Sequence, residues 1–276
     1  MFVQSCSENE DIIFTAEQKV LLDSYASVGE KHNLMMDEIY KQLKSIPKLK
    51  GNSKSVLSKD DAIEEVKHKT IDVIGYDIYS HKGVKDVVDK SFYFSKRGVR
   101  LKNGNQESNI DSIINNTELS STFKQLYKEL IVISDSYTLS IEQQKEKIDR
   151  FNLLAFELLD NEELEYILIG SSVSAASFEY WHTNMEEWLQ LFVRDKKIRL
   201  KSGNENFWLP GGGLYDGMTG ADVGGAVGGA ITGGVGGAVV GGVGAGPGAL
   251  IGGVAGGVGA STGQVVDNIG EYLGWW

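Results

Sequence analysis

Residues 223–266 read VGGAVGGAITGGVGGAVVGGVGAGPGALIGGVAGGVGASTGQVV, and this stretch contains no charged residue, although Asp222 and Asp267 flank it. Because four residues are close to one helical turn, glycines four apart form a groove in which another helix backbone can lie. The pattern, a glycine zipper, predicts two closely packed helices. The series are Gly220, Gly224, Gly228; then Gly225, Gly229, Gly233, Gly237, Gly241; and later Gly248, Gly252, Gly256.

This stretch has three possible interpretations: a flexible linker, a membrane-inserting hairpin, or a hairpin packed inside a soluble fold. A flexible linker would use serine, threonine and charged spacers, whereas the spacers here are almost all valine, alanine and isoleucine. A helix in water loses about 0.8–1 kcal/mol for each interior glycine relative to alanine, so it needs close packing or a lipid environment. We therefore expect a membrane-inserting helical hairpin. A hairpin packed inside a soluble fold is the alternative.

The length and the flanks of the stretch also favour a membrane. Gly246-Pro247-Gly248 divides it into residues 223–243 and 248–266, each close to the roughly 20 residues that a spanning helix needs. Lysine and arginine are absent after Lys201, and residues suited to a membrane interface flank the stretch: Trp208, Tyr215, Tyr272, Trp275 and Trp276.

Association between zippers is expected to assist insertion, because the first half is only marginally apolar. We therefore predict that membrane and a second copy of the chain are its partners. The predicted helix-packing residues are Gly224, Gly228, Gly229, Gly233, Gly237, Gly241, Gly252 and Gly256. The segment resembles the glycine-zipper two-helix domain of small envelope lipoproteins of Gram-negative bacteria, and also the glycine-rich part of membrane-active bacteriocins.

Cys6 is the single cysteine, which excludes an internal disulfide and a cysteine-based zinc site. It lies between MFVQS and SENED, an arrangement that resembles the cleavage site of a bacterial lipoprotein signal peptide. This resemblance implies a longer signal peptide before Met1, lipidation of Cys6 with acyl chains such as palmitate, and an outer-membrane lipoprotein facing the periplasm or the cell surface. The alternative is a free thiol at a frayed terminus.

The rest of the chain predicts a mainly α protein, a multi-helix bundle followed by the hairpin. Capping boxes at Thr15 and Ser140 begin helices with apolar residues at helical spacing. We divide the chain into residues 1–13 (signal remnant and acidic tether), 14–210 (helical domain) and 211–276 (hairpin). Residues 99–105 and 198–204 both alternate apolar and basic side chains. They either pair as a small two-stranded element or are similar by chance.

The sequence offers little support for chemistry, so we expect no enzymatic activity, no cofactor and no metal. A net charge of −11 argues against a nucleic-acid partner. His32 and Asn33 are candidate ligands or catalysts, but polar packing on a helix is favoured for them. Glu179, His182 and Glu186 share a helix face that is expected to be solvated. The small residues 170–177 predict close approach of another backbone, either the zipper or an ordinary core helix.

We therefore expect a bacterial cell-envelope lipoprotein of structural or interaction type, whose hairpin associates with membrane or self-assembles. The alternative is a secreted bacteriocin-like or pore-forming toxin that inserts the hairpin into a target membrane. A third class, an enzyme with an unrecognised helical site, would be favoured by a buried cluster around His182 or His32.

Overall fold

The computed structural model describes residues 12–46, 58–97, 114–192, 214–215, 217–239, 245–273 and 275. Within these ranges the chain forms helices and no strand, so the prediction of a mainly α bundle is confirmed. The predicted strand pair and Cys6 lie outside the described residues. The helices are α1 (Ala16–Lys44), α2 (Lys59–Ile74), α3 (Tyr76–Tyr79), α4 (Lys82–Arg97), α5 (Ser121–Ser134), α6 (Ile141–Leu158), α7 (Asn161–Phe192), α8 (Met218–Val239) and α9 (Ala245–Tyr272).

Side-chain caps fix where several helices begin. The predicted capping boxes are both present, at Thr15 before α1 and at Ser140 before α6. Ser58 and Ser120 accept hydrogen bonds from backbone N–H groups at the starts of α2 and α5. These side chains satisfy amide groups that have no partner inside the helix.

The glycine-rich helices α8 and α9 form an antiparallel hairpin that lies inside the bundle. Helix α8 packs against α4, α5 and α7, and α9 packs against α1, α2, α4 and α7. We call these five surrounding helices the shell. Helix α6 covers α5 and α7 from outside. The described conformation is therefore the packed alternative, and membrane insertion stays a prediction.

Glycine is required where α8 and α9 meet, because their backbones are in direct contact. Gly225 lies opposite Gly256, and Gly229 lies opposite Gly252. A Cβ atom on any of these four glycines would lie closer than 3.0 Å to a carbonyl oxygen of the other helix. Gly233 and Gly248 continue the same register towards the hairpin tip. The zipper that the sequence predicts is thus formed within one chain.

Further glycines let the shell approach the hairpin. A Cβ on Gly259 would lie 3.3 Å from the Val88 Cβ, so α4 lies directly against α9. In the small-residue stretch of α7, Gly170 faces Val227 of α8. The zipper does dock against this stretch, which was one of the two expectations for it.

One helix among the described residues is long and apolar enough to cross a membrane, the segment Gly246–Tyr272 of α9. Most of this segment is buried in the protein. Ile251 near the hairpin tip is an exception, with half of its surface exposed. Length and composition therefore permit insertion, while the described fold encloses the segment.

Candidate functional site

Five polar side chains from four helices meet in the interior, and all five are fully buried. We call them the buried polar cluster: His32 of α1, Ser177 and Trp181 of α7, Asp222 of α8 and Ser261 of α9. Burying polar groups is unfavourable unless each one finds hydrogen-bonding partners. The cluster is therefore a place where the positions of all four helices depend on one another.

The register of the zipper brings the two hairpin members of the cluster together. Gly225 lies opposite Gly256, and Ala260 also approaches Gly225. One turn further from the tip, Asp222 and Ser261 meet. Gly257 leaves room for the histidine, since a Cβ there would lie 3.2 Å from the His32 Cδ2.

Asp222 accepts three hydrogen bonds. Ser177 Oγ and Trp181 Nε1 both donate to Oδ2, the latter at 2.8 Å, and Ser261 Oγ donates to Oδ1. The His32 Nε2 atom lies 3.9 Å from the same Oδ2. Burial raises the pKa of the Asp222 carboxyl above its ordinary value, while His32 and the three donors oppose this increase.

His32 is held at both ring nitrogens. Its Nε2 lies 3.0 Å from Ser261 Oγ, and its Nδ1 lies 3.0 Å from Asn33 Oδ1. The Asn33 Nδ2 donates in turn to the carbonyl oxygen of Ala176, at 2.9 Å. The structure thus gives His32 and Asn33 the polar packing role that was favoured for them, and it connects them to α7 and to the hairpin.

The serine, histidine and aspartate of this cluster are the residue types of a hydrolytic triad. Their burial and hydrogen bonds therefore bear on the enzyme alternative. In the described conformation none of the three side chains contacts solvent. Ser261 Oγ lies within hydrogen-bonding distance of both Asp222 Oδ1 and His32 Nε2, so the hydroxyl is shared between the carboxyl and the imidazole. The described residues also contain no group of three or more side chains suited to hold a metal ion. The arrangement suits holding helices together better than acting on a substrate.

A second polar contact fixes the start of α8. Asp135 Oδ1 accepts a hydrogen bond from the Gly220 N–H at 2.7 Å, and Tyr137 Oη accepts one from the Thr219 N–H at 2.9 Å. A carboxylate is favourable at a helix N-terminus because the N–H groups there point towards it. Burial raises the pKa of Tyr137 well above its ordinary value, so its hydroxyl stays neutral.

Four of the predicted helix-packing residues, Gly229, Gly233, Gly252 and Gly256, lie in the contact between α8 and α9. Gly224 and Gly228 are buried within α8. The surroundings of Gly237 and Gly241 lie outside the described residues, as Cys6 does.

The second set of candidates, Glu179, His182 and Glu186, does not converge on a site. Glu179 forms an exposed ion pair with Lys145 at 3.1 Å, and His182 stacks on Phe178 with a centroid distance of 5.9 Å. Sequence reasoning instead missed Asp222 and Ser261. The available signal was a single acidic residue next to a long charge-free stretch.

No protein-family model, no curated protein and no solved structure matches this chain.

Proposed function

We propose that the protein is a membrane-inserting toxin of the bacteriocin-like, pore-forming class. In this proposal the shell stores α8 and α9, and the two helices enter a target bilayer together. One observation carries the proposal: the hairpin is joined by backbone-to-backbone contact between glycines, while the shell encloses it on its other sides.

The two kinds of contact respond differently to lipid. Glycine-mediated packing is a van der Waals contact, and it is common between helices inside membranes. Contacts between the shell and the hairpin are made by shell side chains, many of them apolar, that pack on the hairpin, as Val88 and Ile169 do on Gly259 and Gly253, and the burial of apolar side chains depends on the exclusion of water. Lipid can replace the second kind and leave the first intact, so the hairpin can leave the shell as one unit.

The dimensions of the hairpin suit a bilayer. Helix α8 has 22 residues and α9 has 28, which correspond to about 33 Å and about 42 Å at 1.5 Å per residue. The hydrocarbon core is about 30 Å thick. Residues 223–266, which include the tip, carry no charge, so the tip meets no charge-related barrier as it crosses.

The shell helices can remain at the surface. Helix α4 buries Val84, Val87 and Val88, and its other face exposes Lys82, Lys85 and Asp86, with Lys85 paired to Asp89. A helix with one apolar and one charged face is suited to lie in the plane of a membrane. Release of the hairpin would free the apolar face of α4 for that contact.

A membrane-anchored envelope lipoprotein is the second candidate, and it depends on Cys6 and the acidic run after it. In this case the anchor is an acylated cysteine, and the hairpin serves association with membrane or with other copies of the chain. Labelling with a palmitate analogue in bacteria, compared with a Cys6→Ser variant, tests this candidate. Label on wild type alone supports the lipoprotein, and no label on either removes it.

Two engineered disulfides test whether the hairpin must leave the shell. In a Cys6→Ser background, the pair Val88→Cys with Gly259→Cys connects α4 to α9, where the Cβ separation is 3.3 Å. The matched control pair is Gly234→Cys with Ala249→Cys, which connects α8 to α9 across 3.7 Å. Both separations are close to the range of about 3.5–4.5 Å found in disulfides.

The assay is dye release from vesicles of phosphatidylethanolamine and phosphatidylglycerol. We expect the oxidised α4–α9 protein to release no dye, and a reductant to restore release in the same sample, which excludes misfolding as the cause. The α8–α9 control should release dye in both states. Release by the oxidised α4–α9 protein at the rate of the reduced form contradicts the proposal. An absence of release by every variant and by wild type favours the lipoprotein.

A further inference from the structure

The buried polar cluster offers a means of controlling when the hairpin leaves. It connects the shell to the hairpin through three hydrogen bonds: Ser177 to Asp222, Trp181 to Asp222, and His32 with Ser261. The bond between Ser261 and Asp222 lies within the hairpin itself. The first three must break on release, whereas the fourth can persist.

Counting protons shows that the network is complete with one shared proton. Asn33 directs its oxygen at His32 Nδ1, because its nitrogen donates to Ala176. The Nδ1 atom must therefore carry a hydrogen. If Ser261 donates to Asp222, the His32 Nε2 must also donate, so that an imidazolium faces a carboxylate. If Ser261 donates to His32 instead, Asp222 must hold the proton.

Any other proton count leaves a fault in the network. Without the shared proton, the Nε2 lone pair of His32 faces the oxygen of Ser261, and the sealed cluster has a charge of −1. With one extra proton, both His32 and Asp222 are protonated, one donor lacks an acceptor, and the charge is +1. An uncompensated charge or an unpaired polar group is strongly unfavourable at a fully buried position.

We infer that the buried polar cluster is a one-proton lock, which holds the hairpin in the shell most tightly when the cluster contains a single shared proton. The inference rests on the proposed function for the release step. The lock itself is a property of the folded chain in water, and it can be measured without lipid.

The other titratable groups near the cluster have partners of their own, so the shared proton is assigned to His32 and Asp222. From the segment after α5, Asp135 and Tyr137 face the first turn of α8, where they are engaged by backbone N–H groups. Helices α1, α7 and α9 contribute His32, the neutral donors Ser177 and Trp181, and Ser261. The raised pKa of Asp222 agrees with a proton that can rest on this carboxyl.

The sign of the pH effect follows from that raised pKa. The contribution of Asp222 to stability is present while the carboxyl can hold its proton, and it is lost as the pH rises through the folded-state pKa. Asp222→Asn supplies a neutral side chain whose oxygen can accept from Ser177 and Trp181 and whose NH₂ can donate to Ser261. Ser261 can then donate to a neutral His32, and the network no longer depends on a shared proton.

The test measures urea-induced unfolding of the full chain in water across pH, for wild type, Asp222→Asn and Asp23→Asn. The last substitution removes the same charge from an exposed position on α1. Between the unfolded-state and folded-state pKa values of Asp222, the unfolding constant of wild type should rise relative to Asp222→Asn by up to about tenfold per pH unit, the slope of one linked proton, and above the folded-state pKa the ratio should level off. Asp23→Asn should follow wild type.

A wild-type to Asp222→Asn ratio that stays constant across the pH range overturns the lock. Failure of Asp222→Asn to fold also overturns it, because the neutral side chain is required to complete the network. Ser261→Ala removes the bridging hydroxyl and should weaken the same pH dependence. Since these measurements contain no lipid, they can fail while vesicle leakage persists, and the proposed function would then survive the loss of the lock.

Discussion

Gly229→Ala tests the backbone contact on which the hairpin depends. A Cβ at this position would lie closer than 3.0 Å to the carbonyl oxygen of Gly252, 2.9 Å from its carbonyl carbon and 3.0 Å from the Gly256 Cα. All three atoms are backbone, so no side chain can move aside and the two helices must separate. Overpacking of this kind costs about 1–3 kcal/mol, and we place this site at the upper end.

Alanine also favours the helix by about 0.8–1 kcal/mol relative to glycine. The free energy of unfolding should therefore fall by about 2 kcal/mol, measured by urea denaturation followed by circular dichroism. Gly252→Ala should have a similar effect. The double variant should lose less than the two single losses added together, because both substitutions disturb the same contact.

Gly246→Ala is the matched control, since a Cβ there would meet only Glu165 Oε1, at 3.4 Å. It lies in the first turn of α9, so we expect no loss, or a gain of up to about 1 kcal/mol from helix propensity. Equal stability of Gly229→Ala and Gly246→Ala would refute the close contact between α8 and α9.

Three further predictions concern single side chains. Trp181→Phe removes one buried donor to Asp222 and should lower the free energy of unfolding by about 1.5–3 kcal/mol; an unchanged urea midpoint would show that the bond is absent. Ser140→Ala removes the N-cap of α6 and should lower the free energy of unfolding by about 1 kcal/mol. The melting temperature followed by circular dichroism should fall accordingly, and a melting temperature equal to that of wild type contradicts this. Burial raises the pKa of Glu165, so its contribution to stability is present at low pH and lost as the pH rises through that pKa. Glu165→Gln should therefore flatten this part of the stability curve, and identical curves for the two proteins would contradict the reasoning.

Local rules predicted the helices and the zipper because both depend on spacing along the chain. The capping boxes at Thr15 and Ser140 are local patterns, and both form. The four-residue spacing of glycines likewise predicts a groove, and Gly229 and Gly252 meet in it. In each case the deciding interaction lies within one helix or between two helices joined by a short connection.

The environment of the zipper could not be predicted in the same way. Glycine and valine at these spacings suit both a bilayer and the interior of a helical bundle. The choice depends on whether other helices offer complementary surfaces, as Val88 of α4 does for Gly259. That information is distributed over distant parts of the chain.

The buried polar cluster was missed for a related reason. His32 and Ser261 are 229 residues apart, and no local spacing connects them. A lone histidine on a helix is usually a packed polar residue, and His32 does have that role. Its connection to Asp222 becomes visible only when α1, α7 and the hairpin are assembled.

Hydrogen–deuterium exchange of the full chain, with and without phosphatidylethanolamine and phosphatidylglycerol vesicles, tests the central claim most directly. If the hairpin leaves the shell as a unit, amides of α8 and α9 should stay protected in the presence of vesicles. Amides of α1 and α4 should exchange at least about tenfold faster, because they lose the helices that they cover. Unchanged protection of hairpin and shell alike, or loss of protection throughout the hairpin, would contradict the account.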